Sequence, residues 1–511
     1  MTAATLPTVP MRLEGTVLAT RPGRAASPAR PGVAETWLDA SRVSVLHGLT
    51  TGDVYRNGQN SWSPTGWRPL DGPPLRVADP RRRQTADDTR WDDPLRHHSS
   101  WLLAVTGSGP GGPESTTTYL LGCLEGDTPR LHADRDVLAA WTETGRRATW
   151  VLLEGGEEDV FARYRDLLAE RYGVLEADPG AVWSSWYSLY ETVSRADLDA
   201  IVPRLPGLGF DTVQLDDGWE ELVGDWTPNA KFAAGMADVA SLIADHGMRP
   251  GLWVAPFIAL PGSRLARRNP QLLLRDADGV PVRAGSNWGS HYHALDLTRP
   301  DAVQHVVETV SRIVHEWGFT YLKLDFVNAG AVAGARAQDV DREAAYRAGL
   351  QAIRDAVGPD VYLLGSGAPV FPSLGVLNAV RTGPDVAPMW DNYASDDPSD
   401  AMARNALVNG VNRLWMRGLV GLDPDVVYFR RRRNLLSDEQ MQWLRDCAVL
   451  SAFRAVSDPP DWIEPGDLPA LRAFLTTTPE TERLGRYAYR VGERVVDFGP
   501  AVDGGAALYP L

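Results

Sequence analysis

The first third of the chain consists of short apolar runs separated by turn-forming residues. Four of these runs have strand length and cover residues 37–46, 100–107, 117–124 and 148–153. Clusters of Gly, Pro, Asp and Ser lie between them, and this pattern predicts an antiparallel β-sandwich. A helix is predicted over residues 157–172, and a linker follows near residues 178–180.

Beyond the linker, short apolar runs alternate with amphipathic helices. The predicted strands cover residues 182–186, 212–215, 251–255, 321–326, 361–364, 379–382 and 413–416. The predicted helices cover residues 195–205, 237–246, 300–317, 342–357 and 400–408. Repeated strand and helix units indicate a parallel sheet, and their number favours a (β/α)8 barrel over an open doubly wound sheet. The pattern assigns no eighth strand.

Polar pairs with the spacing of helix N-caps support several of these helices, namely Ser194 with Asp197, Thr298 with Asp301, and Ser437 with Gln440. The last pair opens a helix predicted to end near residue 454. Runs at 486–490 and 494–498 predict a small terminal sheet. The expected fold class is therefore α/β: a TIM-type barrel (176–457) with an N-terminal β-sandwich (1–175) and a small C-terminal β domain (458–511).

The net charge, the apolar runs and the cysteines exclude several classes of protein. The chain has 51 basic and 66 acidic residues, a formal charge of −15, which argues against a nucleic-acid partner because phosphates are repelled. No apolar run approaches the roughly 20 residues that span a bilayer, and residues 1–15 lack the pattern of a signal peptide. Cys123 and Cys447 are too far apart in sequence to indicate a zinc motif or a disulfide framework. We expect a cytoplasmic protein with reduced thiols.

Charged residues end three of the predicted strands. Because the active site of such a barrel lies at the carboxyl ends of its strands, these residues are the first candidates for chemistry. Lys323 and Asp325 are two residues apart, so they share the face of a strand that points toward the barrel axis. A structural ion pair is the competing interpretation of these two residues.

A second carboxylate follows another predicted strand. Arg381, Gly383 and Asp385 show the same alternation, although Gly-Pro-Asp is also a common turn. Two carboxylates at the same end of the barrel meet the requirement of glycoside hydrolysis. In that reaction one carboxylate attacks or stabilises the anomeric carbon, and the other carboxyl group protonates the leaving oxygen. Lys323 and Arg381 would help to keep the nucleophile ionised and would bind sugar hydroxyls.

The third strand end carries Asp216 and Asp217. Paired carboxylates can accept hydrogen bonds from vicinal sugar hydroxyls, while the competing interpretation is an Asp-Gly turn. Aromatic residues at or near other strand ends, namely Trp186, Tyr187 and Trp253, are candidates for the apolar walls of a pocket. Each of them singly is more often part of a core.

Taken together, these segments resemble the α-galactosidases of glycoside hydrolase family 36, especially the shorter bacterial members. The similar segments are WSSWYSLY from Trp183, FDTVQLDDGWE from Phe210, GLWVAPF from Gly251, YLKLDFVNAGAV from Tyr321 and RTGPDVAP from Arg381. They occur in the family's order and cover most of the predicted barrel. In addition, NGQNSWSPTG from Asn57 is similar to a sandwich-domain motif whose Trp reaches over the catalytic pocket.

The resemblance implies a role for each matching residue. Asp325 would be the nucleophile and Asp385 the acid/base of a retaining exo-α-galactosidase. Asp216 and Asp217 would hold the galactose 4- and 6-hydroxyls, with Lys323 and Arg381 as further sugar ligands. The residues that would shape the pocket are Trp62, Trp186, Tyr187, Trp253 and Gly383. The resemblance implies neither a metal nor an organic cofactor.

Two departures from the family pattern stand out. Ser366 occupies a position where relatives carry a cysteine near the sugar 2-hydroxyl, and a hydroxyl group can still form a hydrogen bond there. Residues 417–422 lie between the predicted seventh strand and Asp423, whereas relatives pass more directly into an Asn-Asp-Pro-Asp segment. The geometry of that loop is therefore expected to differ.

Several alternatives remain open at this point. On the same scaffold they are a transglycosylase or an α-N-acetylgalactosaminidase. From other classes they are a metal-dependent lyase or isomerase, with Asp216, Asp217 and Asp325 as ligands and Lys323 as base, or a non-catalytic sugar-binding protein. The sequence leaves the aglycone, its linkage, and the choice between monomer and homo-oligomer undetermined.

Overall fold

The computed structural model of the chain describes residues 30–90, 92–108, 116–392 and 395–503, together with the backbone of residues 11–14. The prediction that residues 1–15 contain no signal peptide falls almost wholly outside these ranges. No helix within the described ranges is long and apolar enough to cross a membrane. Both cysteines are buried and free.

The N-terminal region contains two antiparallel sheets. Its strands are β1 (Met11–Glu14), β2 (Ala34–Ala40), β3 (Arg42–Leu46), β4 (Thr51–Arg56), β5 (Gly66–Pro69), β6 (His97–Ser100), β7 (Leu102–Ser108), β8 (Thr116–Glu125), β9 (Pro129–Ala133), β10 (Val137–Thr142) and β11 (Ala148–Gly155). One sheet has the order β1-β3-β10-β9-β6, and the other has the order β2-β11-β8-β7-β4-β5. The two sheets contact each other through β7 and β9. Strands are thus present where the apolar runs predicted them.

Helix α1 (Glu157–Tyr172) ends this region and confirms the prediction for residues 157–172. Acidic residues fill its first turn, where they complement the helix dipole. The helix lies on β8, and Tyr164 reaches the strand at Gly122, where a Cβ atom would come within 2.3 Å of the ring. Glycine at position 122 is therefore what allows helix and sheet to approach so closely.

The middle of the chain forms a parallel sheet of eight strands. Its strands and those of a small antiparallel sheet are β12 (Val182–Ser184), β13 (Thr212–Leu215), β14 (Arg249–Val254), β15 (Ile258–Ala259), β16 (Arg283–Asn287), β17 (Ser290–Ala294), β18 (Tyr321–Leu324), β19 (Tyr362–Gly365), β20 (Ala379–Arg381), β21 (Gly421–Asp423) and β22 (Ala455–Val456). The order of the eight is β21-β20-β19-β18-β14-β13-β12-β22, and β15-β17-β16 form the small sheet. Val427, just after β21, forms a parallel bridge to Val456 of β22. The sheet therefore curls until its two edges meet at this bridge.

Helices connect these strands. They are α2 (Trp186–Leu189), α3 (Arg195–Ile201), α4 (Met236–Asp245), α5 (Arg264–Arg268), α6 (Pro300–Ser311), α7 (Arg342–Val357), α8 (Val370–Ser373), α9 (Ala403–Arg413) and α10 (Asp438–Ser451). Reciprocal capping boxes begin α3 at Ser194 and α10 at Ser437, as predicted. The predicted cap at Thr298 is wrong: Arg299 precedes α6, and the Thr298 hydroxyl donates to Asp296 instead.

The predicted seventh strand at residues 413–416 is also wrong. Helix α9 extends through Arg413, and a 3-10 turn follows at Leu414–Met416, with Leu414 and Met416 buried. Gly418, with φ at 85°, ends this turn in the left-handed region that favours glycine. The seventh strand is instead β21, which has only three residues. The eighth strand, β22, has only two residues, which is too short to show an apolar run.

The C-terminal region contains α11 (Leu468–Thr476), β23 (Thr481–Arg483), β24 (Ala488–Val491), β25 (Arg494–Asp497) and α12 (Gly499–Asp503). The three strands form an antiparallel sheet in chain order. Two of the strands lie where the runs at 486–490 and 494–498 predicted them.

Candidate active site

The carboxyl ends of β13 and β18 hold one buried cation between two carboxylates. Lys323 Nζ lies 2.8 Å from Asp216 Oδ2 and 3.8 Å from Asp325 Oδ2. Lys323 keeps only 4% of its surface exposed. Burial by itself lowers the pKa of Lys323, but Asp216 and Asp325 outweigh it and raise the pKa, so the ammonium group stays charged.

Asp325 follows β18 directly, and donors hold both of its oxygens. Trp253 Nε1 donates to Oδ2 at 3.0 Å, and the backbone N–H of Phe326 donates to Oδ1 at 2.7 Å. Phe326 has φ at 51°, so the chain turns sharply just after the carboxylate. The carboxylate of Asp325 is thus oriented by its own turn and by the neighbouring strand β14.

Asp385 lies four residues beyond Arg381 of β20. Arg381 Nη1 is 3.2 Å from Asp385 Oδ1, and the side chain of Asp385 keeps 32% of its surface accessible. Burial of its surroundings raises the pKa of Asp385 to about 7, against the opposing charge of Arg381. The charge of Asp325 also raises this pKa, so the two predicted catalytic carboxylates lie close enough to affect each other.

Asp217 is the second carboxylate after β13. Trp288 Nε1 donates to its Oδ2 at 2.8 Å, and the carboxyl group of Asp217 is also in hydrogen-bond contact with Glu220. Burial and the neighbouring Glu220 raise the pKa of Asp217 to about 9, so the group is protonated at neutral pH.

Two carboxylates of the cluster were missed by the sequence analysis. Arg381 Nε lies 3.0 Å from Asp423 Oδ2, and Arg381 Nη1 lies 2.7 Å from Asp425 Oδ2. Tyr187 Oη also donates to Asp425. The signal was the alternation of Asp423 and Asp425, but the misplaced seventh strand assigned that segment to a loop. Trp288, which lies between β16 and β17, had no comparable signal.

Trp62 comes from the N-terminal region and lies against the turn after β19. A Cβ atom on Gly367 would lie 3.5 Å from Trp62 Nε1. The segment that carries Trp62 is anchored to the helices of the middle region, because Gln59 Nε2 donates to Glu343 at 2.6 Å and Arg413 donates to the Asn60 carbonyl at 2.8 Å. Trp62 therefore lies beside the carboxyl end of β19, and its place over the pocket stays a prediction.

The other predicted pocket residues also lie at strand ends. Trp186 is half-buried, with its ring centroid 5.2 Å from that of Tyr190. Ser366 is buried after β19, and its backbone N–H donates to the Leu324 carbonyl at 2.8 Å. Gly383 packs on α9, where a Cβ atom would come within 2.8 Å of the backbone of Ala406.

Metal ligation has no support in the described ranges. They contain no group of three or more His, Cys, Asp or Glu residues that could hold a metal ion. Of the ligands that a metal-dependent lyase would need, Asp216 is bound to Lys323, and Asp325 to Trp253. In the described part of the chain, Lys323 contacts two carboxylates and Arg381 contacts three, so each cation is shared.

A family model and a solved structure are similar to this chain. The Melibiase family model matches residues 153–357. The α-galactosidase TtGalA from Thermus thermophilus, solved with p-nitrophenyl α-D-galactopyranoside, is 38% identical, with 96% of this chain and 97% of that chain covered and a TM-score of 0.86.

Two curated relatives match shorter segments. AgaA, an α-galactosidase from Geobacillus stearothermophilus, is 29% identical over 40% of this chain and 29% of its own length. Its structure, described as a GH36 α-galactosidase, shares the fold with a TM-score of 0.59 at 15% identity, over 87% of this chain and 65% of that chain. A blood-group A α-D-galactosamine galactosaminidase from Flavonifractor plautii is 33% identical over 31% of this chain and 16% of its own length. The matched segments thus span less than a third of each curated relative.

A parallel sheet whose carboxyl ends gather carboxylates, cations and tryptophans, together with these similarities, defines a glycoside hydrolase. The chain belongs to the α-galactosidases of glycoside hydrolase family 36.

The close packing of Gly383 gives a test of the site's geometry. We expect Gly383→Ala to lower stability by about 1–3 kcal/mol, because the added methyl group meets the backbone of α9. Thermal unfolding would measure the change. Gly207→Ala is the matched control, since a Cβ atom there has nothing within 4 Å. Equal melting temperatures for the two variants would contradict the packing described here.

Proposed function

We propose that the chain is a retaining exo-α-galactosidase that releases terminal α-linked galactose from oligosaccharides by double displacement. The observation that carries the proposal is the contrast between two neighbouring carboxylates. Asp385 has a pKa raised to about 7, whereas both oxygens of Asp325 accept hydrogen bonds. One group is thus suited to give a proton, and the other to act as a nucleophile.

In the first step, Asp325 attacks the anomeric carbon of the galactosyl unit. Asp385 donates its proton to the glycosidic oxygen as the bond to the aglycone breaks, which leaves a β-galactosyl ester on Asp325. In the second step, Asp385, now ionised, removes a proton from water, the water oxygen attacks the anomeric carbon, and the bond between that carbon and Asp325 breaks. Two inversions release α-galactose, so the configuration is retained. Neither step needs a metal or an organic cofactor.

The proposed sugar ligands belong to the same cluster of charged residues. In this proposal Asp216 and Asp217 bind the galactose 4- and 6-hydroxyls, and their position directly after β13 supports that role. Lys323 and Arg381 bind further hydroxyls, and Ser366 offers its hydroxyl near the sugar 2-position. Trp62, Trp186, Tyr187, Trp253 and Gly383 form the walls. The Thermus α-galactosidase was also solved with stachyose, which supports an oligosaccharide as substrate.

Hydrolysis of α-galactosides is preferred over the alternatives on the same scaffold. The relative that matches almost the whole chain is an α-galactosidase, whereas the galactosaminidase matches 31% of it. We assign the chemistry to a (β/α)8 barrel of residues 176–457. In this division, residues 1–175 form a β-sandwich domain that supplies Trp62, and residues 458–511 form a C-terminal β domain.

Removal of either carboxylate tests the proposal. We expect Asp325→Ala to abolish turnover of melibiose and raffinose, because no group remains to form the galactosyl ester. Asp385→Ala should lose its activity on melibiose and raffinose. It should keep part of its activity on p-nitrophenyl α-galactoside, because that leaving group needs little protonation. Steady-state kinetics, with NMR to identify α-galactose as the first anomer, would measure this.

Asp360→Ala, at an exposed turn, is the control and should resemble the wild type. Activity of Asp325→Ala within about tenfold of wild type, roughly 1.4 kcal/mol in the barrier, would reject the nucleophile. Release of β-galactose as the first product would reject retention.

The raised pKa of Asp385 predicts the pH dependence. Above a pH of about 7 the folded enzyme loses this proton, so kcat/KM for raffinose should fall as pH rises through that value. The decline should be much weaker with p-nitrophenyl α-galactoside, which depends less on the acid. Equal declines for both substrates would mean that another group controls the alkaline limb, which is the fall of kcat/KM at high pH.

A further inference from the structure

Arg381 is shared by three carboxylates, and this sharing bears on the acid of the proposed reaction. We propose that Asp425 is a positioning residue that, by binding Arg381, keeps Asp385 in its proton-donating form. The inference rests on the proposed function, because it concerns the acid/base role of Asp385. It adds a residue that neither the sequence motifs nor the sugar contacts identify.

The contacts of Arg381 show how its charge is divided. Nη1 lies 2.7 Å from Asp425 Oδ2 but 3.2 Å from Asp385 Oδ1, and Nε lies 3.0 Å from Asp423 Oδ2. Asp423 and Asp425 are each 2% exposed, while the side chain of Asp385 keeps 32% of its surface accessible. Asp423 and Asp425 therefore neutralise most of the positive charge of the Arg381 guanidinium. Asp385 interacts only with the charge that is left.

The position of Asp425 is fixed from several sides. Its φ is 80°, a left-handed conformation that is uncommon for a residue other than glycine. The backbone N–H of Val386 donates to Asp425 Oδ2 at 3.0 Å, and that of Val426 donates to Oδ1 at 2.8 Å. Because Val386 directly follows Asp385, Asp425 also holds the chain on which the acid is carried.

The charged and titratable groups around Asp385 determine the sign of the effect. Besides Arg381 and Asp425, they are Lys323 and Asp325 from β18, Asp423, and the phenols of Tyr187 and Tyr190. After burial, the charge of Arg381 lowers the pKa of Asp385 and that of Asp425 raises it. Without Asp425, an unshared Arg381 would stabilise the ionised form of Asp385, so the proton would leave at a lower pH.

The experiment is the pH profile of kcat/KM for raffinose in Asp425→Asn. We expect the alkaline limb to move down by about one pH unit or more, which corresponds to about a tenfold loss at high pH beyond any uniform loss. Activity on p-nitrophenyl α-galactoside should show a smaller shift. A purely structural role for Asp425 would instead lower the rate equally at all pH values.

Asp446→Asn is the matched control. Asp446 is also 2% exposed and paired with an arginine, Arg494, but it lies on α10 outside the cluster. Its variant should lose stability without moving the alkaline limb. If Asp425→Asn does not fold, Asp423→Asn decides by the same criterion, since Asp423 holds the other side of Arg381.

The outcomes separate this inference from the function on which it rests. An unmoved alkaline limb in Asp425→Asn, or in Asp423→Asn where that variant decides, overturns the role of Asp425 alone. If the wild-type enzyme shows the same decline at alkaline pH with raffinose and with p-nitrophenyl α-galactoside, Asp385 is not the acid. That result overturns both the proposed role of Asp385 and this inference.

Discussion

Removal of charged groups from water at one end of a parallel sheet is the constraint on which this structure depends. Buried carboxylates are costly unless cations and hydrogen-bond donors compensate them. Lys323 compensates Asp216 and Asp325, and Arg381 compensates three further carboxylates. The two cations thus divide the cluster into two halves that carry different chemistry.

The halves differ in how completely their carboxylates are compensated. Asp325 accepts hydrogen bonds on both oxygens and has Lys323 at 3.8 Å, whereas Asp385 lies 3.2 Å from an arginine that is shared with Asp423 and Asp425. In the proposed mechanism, this asymmetry makes one aspartate the acid and the other the nucleophile. The N-terminal region is anchored to α7, because Gln59 and Trp101 both donate to the buried carboxylate of Glu343.

The sequence predicted the elements whose apolar runs were long enough to show a period. Helices α1 and α7 were predicted at their observed bounds, and the alternation in β18 placed Lys323 and Asp325 on one face. It failed at β21 because Leu414 and Met416, just before that strand, form a more convincing apolar run, and it failed at β22 because a strand of two residues shows no period. Asp423 and Asp425 were missed as a consequence, and Trp288 was missed because its contact with Asp217 depends on tertiary structure alone.

The central claim is that Asp325 becomes covalently attached to galactose during turnover. The most direct measurement is mass spectrometry of the enzyme after reaction with a fluorinated α-galactosyl fluoride, which forms the ester quickly but releases it slowly. We predict one galactosyl group per chain, located by peptide sequencing on Asp325. Attachment to another residue, or rapid turnover of the reagent with no attached sugar, would contradict the account.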